Sequence, residues 1–328
     1  MSLLSVNNLN VRYAVAGKLK AAISGLSSRY VDAVIDVSFD IPAGKTLAVV
    51  GESGSGKSSL ARAIAGLTPF ASGAITFDGN NPFVNGNHPK KAYHRDVAIM
   101  FQDPVSSLSP RRTVKSLITE PFVIHGMKDR DLEAEARRLL GLIGLPPDFA
   151  SRYPHQLSGG QARRVGLARA IALNPKLIIA DEPTAGLDVS VQGEVLNLLG
   201  KLQAELGLTY MIITHNLAVV RHVSDRTAIM YMGRFVEEGP TADIFARAMH
   251  PYAAALIAAQ PNPDPARRRD GPVLTGEVTS LRNRPTGCEF HPRCARASDL
   301  CRNSLPAIAV ARAGHTVRCH HPLAPVAT

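Results

Sequence analysis

The sequence predicts an α/β fold built on a largely parallel sheet, and three observations carry that reading. Short, continuously apolar runs alternate with segments of helical period, as buried parallel strands and their crossover helices do. One of these runs, 46–51 (TLAVVG), ends in a glycine-rich loop. Another, 176–181 (KLIIAD), ends in an acid. With 328 residues, 45% hydrophobic and 20% charged, the chain can form one large domain or one domain with an appendage. This composition excludes disorder over most of its length.

Residues 3–13 show partial strand alternation, and 33–41 (AVIDVSFDI) alternates more cleanly. Between them, 14–32 is polar and rich in small residues. Leu19, Ala22, Ile23 and Leu26 have helical spacing there, so either a short helix or a hairpin loop is expected. After strand 46–51, 58–67 reads as helix, and 74–79 and 96–102 read as strands. The stretch 104–165 breaks the alternation and looks mainly helical, with Leu132, Ala136, Leu139, Leu140 and Ile143 on one face, so it is expected to be an inserted helical subdomain. Strand 176–181, helix 191–206 and strand 209–215 resume the alternation. Composition changes near residue 250. Residues 261–287, rich in Pro, Gly and Arg, read as a linker or extended strap leading to a cysteine segment.

No apolar stretch is long enough to span a bilayer, and the N-terminus lacks the pattern of a secretory signal, so a cytoplasmic protein is expected. The formal charge is +10, and 251–328 contributes half of it with 10 Arg against 5 acids. That balance suits nucleic acid, anionic lipid or a phosphate ligand, and it also suits plain solubility.

A phosphate ligand is favoured by 51–58, GESGSGKS, which fits G-x-x-x-x-G-K-[ST] between a strand and a helix. Gly51, Gly54 and Gly56 let the backbone curl so that its N–H groups face phosphate oxygens, and Glu52, Ser53, Ser55 and Ser59 complete the loop and its exit. The helix start adds partial positive charge. Lys57 is expected on the β/γ-phosphates and Ser58 on Mg²⁺. Asp181, at the end of its strand, is a second Mg²⁺-organising carboxylate. Its neighbour Glu182 suits a general base toward the attacking water.

Residues 157–161 read LSGGQ. With the phosphate loop and IIADEP, this resembles the ATP-binding subunit of ABC transporters. The resemblance implies an ABC-type, RecA-like P-loop NTPase core with an antiparallel β subdomain over residues 1–250, and an extension over 251–328. In that family Ser158, Gly159, Gly160 and Gln161 open a helix that caps the γ-phosphate held by a partner subunit, so that two subunits sandwich two ATP molecules head to tail. By the same resemblance Gln102 (in FQDP) touches Mg²⁺ and the lytic water, Asp188 is the D-loop acid, and His215 senses the γ-phosphate. Gly186 is a mild departure within the D-loop. Tyr13 takes the position of the adenine-stacking aromatic, with Tyr30 as the alternative.

FQDPVSSLSPR, the run from YPHQLSGGQ to GLDVSVQ, HPYAAALIAAQP and GCEFHPRC are similar to the oligopeptide/dipeptide importer ATPases over essentially the whole chain. This implies an ATPase at the cytoplasmic face of the inner membrane. It would serve two permease subunits and, indirectly, an extracytoplasmic solute-binding protein, and would pair with a second ATPase, a paralogue rather than itself. A cassette acting on nucleic acid would carry two ATPase units or a coiled-coil insertion. Neither is present, so no nucleic-acid partner is expected. A separate exporter ATPase is disfavoured by the tail. The four cysteines, Cys288, Cys294, Cys301 and Cys319, cluster in that tail, which favours metal over disulfide in a cytosolic protein. Their spacing is looser than the paired cysteines of structural zinc. Three readings stay open: a [4Fe–4S] cluster, as in tails this one resembles, a zinc ion, or free thiols. His291, His315, His320 and His321 lie near enough in sequence to replace a ligand.

Overall fold

Strand β3 (Thr46–Val50) is apolar on both faces because it lies at the centre of a sheet covered on both sides. The structure, a computed structural model, describes residues 2–14, 30–84, 88–103, 106–127, 129–260, 276 and 280–323. The main sheet has the order β12-β13-β11-β10-β3-β9-β8-β7. The strands are β7 (Val97–Met100), β8 (Leu177–Asp181), β9 (Thr209–Thr214), β10 (Arg226–Tyr231), β11 (Arg234–Pro240), β12 (Ala309–Arg312) and β13 (His315–Val317). From β10 to β7 all neighbours are parallel. At the other end β11, β13 and β12 pair antiparallel.

The period of two sorts each strand between the layers. Leu47, Val49, Ile179, Met211 and Ile213 face a core shared with helix α1 (Lys57–Ile64) and a second, antiparallel sheet, β2-β1-β4. That sheet comprises β1 (Ser2–Ala14), β2 (Tyr30–Pro42) and β4 (Ser72–Phe77), beside a short hairpin β5 (Phe83–Val84) and β6 (His88–Pro89) and a helical turn α2 (Tyr93–Asp96). Ile178, Ala180, Tyr210 and Ile212 point the other way. They meet helices α3 (Val114–Ile124), α4 (Leu132–Leu142), α5 (Gly159–Ile171) and α6 (Val189–Leu206). All four begin at side-chain caps, α5 at Ser158. Thr113 accepts from Ser116 N–H, Asp131 from Glu133 and Ala134 N–H, and Asp188 from Val191 N–H.

Ala48, Val50, Ile229 and Tyr231 face a third core under helices α7 (Leu217–Val223), α8 (Thr241–Arg247) and α9 (Pro251–Ala258). Phe290 of the tail, which also carries helix α10 (Asp299–Asn303), belongs to this core. The tail also enters the main sheet, where Glu237 pairs with Val317 and Glu238 with Thr316. There the His315 ring lies 2.8 Å from Glu237, both side chains fully buried, and Glu237 also accepts from Met249 and His250 N–H.

Residues 15–29, which hold the segment through Leu19, Ala22, Ile23 and Leu26, lie outside the described residues, as does most of the 261–287 stretch. The described end of that stretch is not a free linker. Arg284 donates to Asp32 O at 2.8 Å and to Glu289 at 3.1 Å, fastening it to β2 and the tail. No described helix is long and apolar enough to cross a membrane.

Candidate active site

In parallel sheets ligands gather beyond the carboxyl ends of the strands. Here β3, β9 and β8 are neighbours, and the chain leaving each one carries a motif residue. Val50 pairs with Thr214 and Ile213 with Asp181, so the loop at 51–56, His215 and the Asp181–Glu182 pair share one crest. The cleft above them encloses about 1190 Å³, ample for a nucleotide.

The phosphate loop has its shape because two of its glycines admit no side chain. Gly56 sits at φ 106°, and a Cβ there would stand 2.2 Å from Ala33 O. A Cβ on Gly51 would meet Met230 O at the same distance. Lys57 opens α1 and folds back over the loop, with Nζ donating to Gly51 O at 2.8 Å and Glu52 O at 2.9 Å. Burial pulls its pKa down, while Glu182, Asp181 and Glu52 pull the other way. To reach a phosphate, the ammonium exchanges these carbonyls for phosphate oxygens.

Asp181 has its pKa raised, chiefly by burial, against the lowering effect of a hydrogen bond from Ser58. Ser58, Asp181 and Gln102 line the same cleft. A hydroxyl, a carboxylate and an amide oxygen form a hard oxygen donor set suited to Mg²⁺. Glu182 is buried and sits at φ 51°, in the left-handed region. Its carboxylate accepts from Thr214 Oγ1 at 3.0 Å and His215 N–H at 3.1 Å, and lies 2.6 Å from His215 Nδ1. His215 keeps 69% of its side chain exposed toward the cleft while its other edge holds Glu182.

Tyr13, Glu52, Ser53, Gly54, Gly56, Ser59, Glu182 and His215 all line this cleft, whereas Tyr30 does not. Ser158 to Gln161 and Asp188 also stand away from it. Ser158 caps α5, accepting from Gln161 N–H, and the Gln161 side chain accepts from Ser158 N–H in return. Gly160 packs so closely on α6 that a Cβ would lie 2.7 Å from Val191. The signature helix and the D-loop therefore form one face, distinct from the phosphate cleft of the same chain.

Three features are not apparent from the motifs. Arg163, buried in α5, donates to Glu182 O at 3.0 Å and to Ala185 O, which ties the signature helix to the catalytic turn. Arg293 grips both Glu52 carboxylate oxygens at 2.6 and 3.0 Å, and Glu52 N–H donates to Tyr252 Oη at 2.9 Å. The one sequence signal for this is its place in GCEFHPRC, between two cysteines. Ser280, Leu281 and Arg282 wall the cleft from the tail, and no motif marks them.

The four cysteines line one small pocket with His250, Phe290 and His291. Burial pushes the thiols of Cys288 and Cys319 up to about 11 and raises that of Cys294. Among the described residues, no three His, Cys, Asp or Glu side chains are set to hold a single metal ion.

A glycine-rich phosphate loop, a Ser–Asp pair fit for Mg²⁺ and a carboxylate poised at the strand ends define a nucleoside-triphosphate-hydrolysing cassette. The chain matches the ABC transporter family over residues 34–185 and the oligopeptide/dipeptide transporter C-terminal region over 236–301. It is 47% identical over 321 residues to a Sinorhizobium fredii protein named "Probable peptide ABC transporter ATP-binding protein y4tS", covering 97% of this chain and 90% of that one. It is 42% identical to the dipeptide transport ATP-binding protein DppF of Haemophilus influenzae, covering 89% of each chain. Among solved structures, a post-hydrolysis dimer of the ATP-binding cassette MJ0796 bound to ADP and Pi superposes with a TM-score of 0.61 at 28% identity, over 73% of this chain and 98% of that one. The cbiO1 cassette of Clostridium perfringens gives 0.62 at 28% identity, over 75% and 91%. The chain belongs to the ATP-binding proteins of ABC transporters, of the oligopeptide/dipeptide type, and is an ATPase.

Proposed function

We propose that ATP hydrolysis by this chain powers import of peptides or related solutes through a separate permease. The observation that carries the ATPase cycle is the meeting of Lys57, the Ser58–Asp181 pair and the Glu182–His215 pair at three adjacent strand ends. Lys57 and the loop N–H groups bind the β/γ-phosphates. Ser58, Asp181 and Gln102 would hold Mg²⁺, which supplies charge neutralisation across the phosphates. Glu182 orients the attacking water and takes its proton. His215 and Thr214 hold that carboxylate in place, and His215 reports the γ-phosphate through its exposed edge.

The signature residues Ser158, Gly159, Gly160 and Gln161, with Asp188, face away from their own cleft. A second subunit placed head to tail therefore completes each site, and a paralogous ATPase is the favoured partner. Residues 1–250 form the ATP-binding domain. Its helical part, about 104–165, faces two permease subunits at the cytoplasmic face of the plasma membrane, and an extracytoplasmic binding protein delivers the solute. The peptide class is supported by the names of the relatives and by the match of the C-terminal region. Purification from native membranes in mild detergent tests the assembly. Two permease chains and a second ATPase are expected, and recovery with RNA or ribosomes instead would overturn it.

The tail pocket suits a [4Fe–4S] cluster held by Cys288, Cys294, Cys301 and Cys319. What supports it is that all four cysteines line one pocket, as in the tails this one resembles. When bound, such a cluster cross-links the segments that carry its ligands. Iron, sulfide and zinc analysis after anaerobic purification tests this, and protein free of all three would sink both metal readings.

A further inference from the structure

Ser280, Leu281 and Arg282 share the cleft with Lys57 and Tyr13, yet they come from the C-terminal extension. Their position is fixed from both sides. Arg284 donates to Asp32 O at 2.8 Å and to Glu289 at 3.1 Å, and Arg234 holds Glu289 at 2.9 Å. Val31 and Ala33, which flank Asp32, line the same cleft, and Val31 is the strand partner of Tyr13. The segment thus lies along the β2 wall that leads from the phosphate loop to Tyr13. Ser280 Oγ accepts from Arg282 N–H at 3.3 Å, which turns the chain at this point. Arg284 and Glu289 are committed to each other, but among the described residues the Arg282 guanidinium has no hydrogen-bond or ion-pair partner. An anchored backbone that presents an apolar side chain and an unengaged planar cation to a nucleotide cleft is arranged as a binding element.

We propose that Leu281 and Arg282 form a nucleoside-binding element: Leu281 offers apolar surface, and the Arg282 guanidinium stacks on the base at the Tyr13 end of the cleft. The extension is then part of the ATP site and not only an appendage to it. Binding at this end is the same for ATP and ADP and is made equally in ground and transition states, so it sets KM and leaves kcat unchanged.

This inference rests on the cleft being the ATP site, and the test separates the two. In the full chain, Lys57→Ala is expected to abolish ATP binding; if binding persists, the reading of the cleft itself falls. Leu281→Ala/Arg282→Ala is expected to weaken ATP and ADP binding by about tenfold each. Inorganic tripolyphosphate binding and kcat at saturating ATP should not change. Photolabelling with 8-azido-ATP should mark the peptide that contains residues 280–284. Unchanged ATP affinity with no label on that peptide overturns the proposal, and so does an equal loss of tripolyphosphate binding. Arg282 is exposed, whereas Leu281 is half-buried against the third core, so Arg282→Ala alone, expected to weaken ATP and ADP binding with thermal unfolding unchanged, separates a binding role from lost packing.

Discussion

Glu182 occupies a backbone conformation that costs a non-glycine residue about 1–3 kcal/mol, and the surrounding bonds show why it stays there. Thr214, His215 and Arg163 together engage its carboxylate and its carbonyl. The turn aims the carboxylate into the cleft while its neighbour Asp181 faces Ser58. Replacing Glu182 by Gln keeps the shape and removes the base. Phosphate release is expected to fall by about 10²–10⁴-fold with ATP binding retained, as measured by equilibrium binding beside the turnover assay. Arg163→Ala would take the side-chain donor from two inward carbonyls, leaving Glu182 O with only Ala185 N–H. Urea unfolding should show a loss of about 1–3 kcal/mol, and kcat should fall with KM little changed. Lys at this position cannot fork to both carbonyls and should rescue only part of the loss.

At the scale of elements, α5 begins with a reciprocal cap that uses the signature serine for local structure. Ser158→Ala removes an acceptor from the first turn and should destabilise the chain by about 0.5–2 kcal/mol in thermal or urea unfolding. If the same hydroxyl serves a partner's nucleotide, ATP-dependent pairing should also be lost, read by size-exclusion chromatography with ATP present. The elements legible in the sequence are those with a simple burial pattern. Strands β3, β8 and β9 are covered on both faces and read as continuous apolar runs, and α4 and α6 each show an apolar stripe. β12 and β13 do not announce themselves. They are four and three residues long, and β12 lies at the edge with Val310 74% exposed, so neither alternation nor length marks them. Asp181 and Glu182 stand out in the sequence because they close a strand of this clear kind, whereas Gln102 and His215 are expected only from the family resemblance. Arg163, Arg293 and Arg282 do not stand out, because an arginine's partner is set by tertiary contact and leaves no period in the sequence.

For the whole molecule, the main consequence is that the nucleotide cleft and the cysteine tail are mechanically joined. Arg293, whose charge Glu52 stabilises, sits in the tail next to Cys294 and holds the second residue of the phosphate loop. Arg293→Ala should lower stability by about 1–3 kcal/mol, less than for a fully buried pair because Glu52 keeps 24% of its side chain exposed. It should also raise the Kd for ATP, measured by titration of the full chain. If affinity is unchanged while stability falls, the contact braces the tail alone.

The buried His315–Glu237 pair carries a different implication, for synthesis. Its two members are 78 positions apart in the chain. At ribosomal speeds of about 5–20 residues per second, Glu237 is made roughly 4–16 s before its counterpart exists. Over that interval strand β11 lacks its outer neighbour, and the Glu237 carboxylate has Met249 and His250 N–H but not the imidazole that ends up buried against it. This edge of the sheet can close only after residue 317 has been made, so a message broken between codons 240 and 315 yields a chain with the motifs from Gly51 to His215 and an unfinished flank, a natural substrate for quality-control proteases.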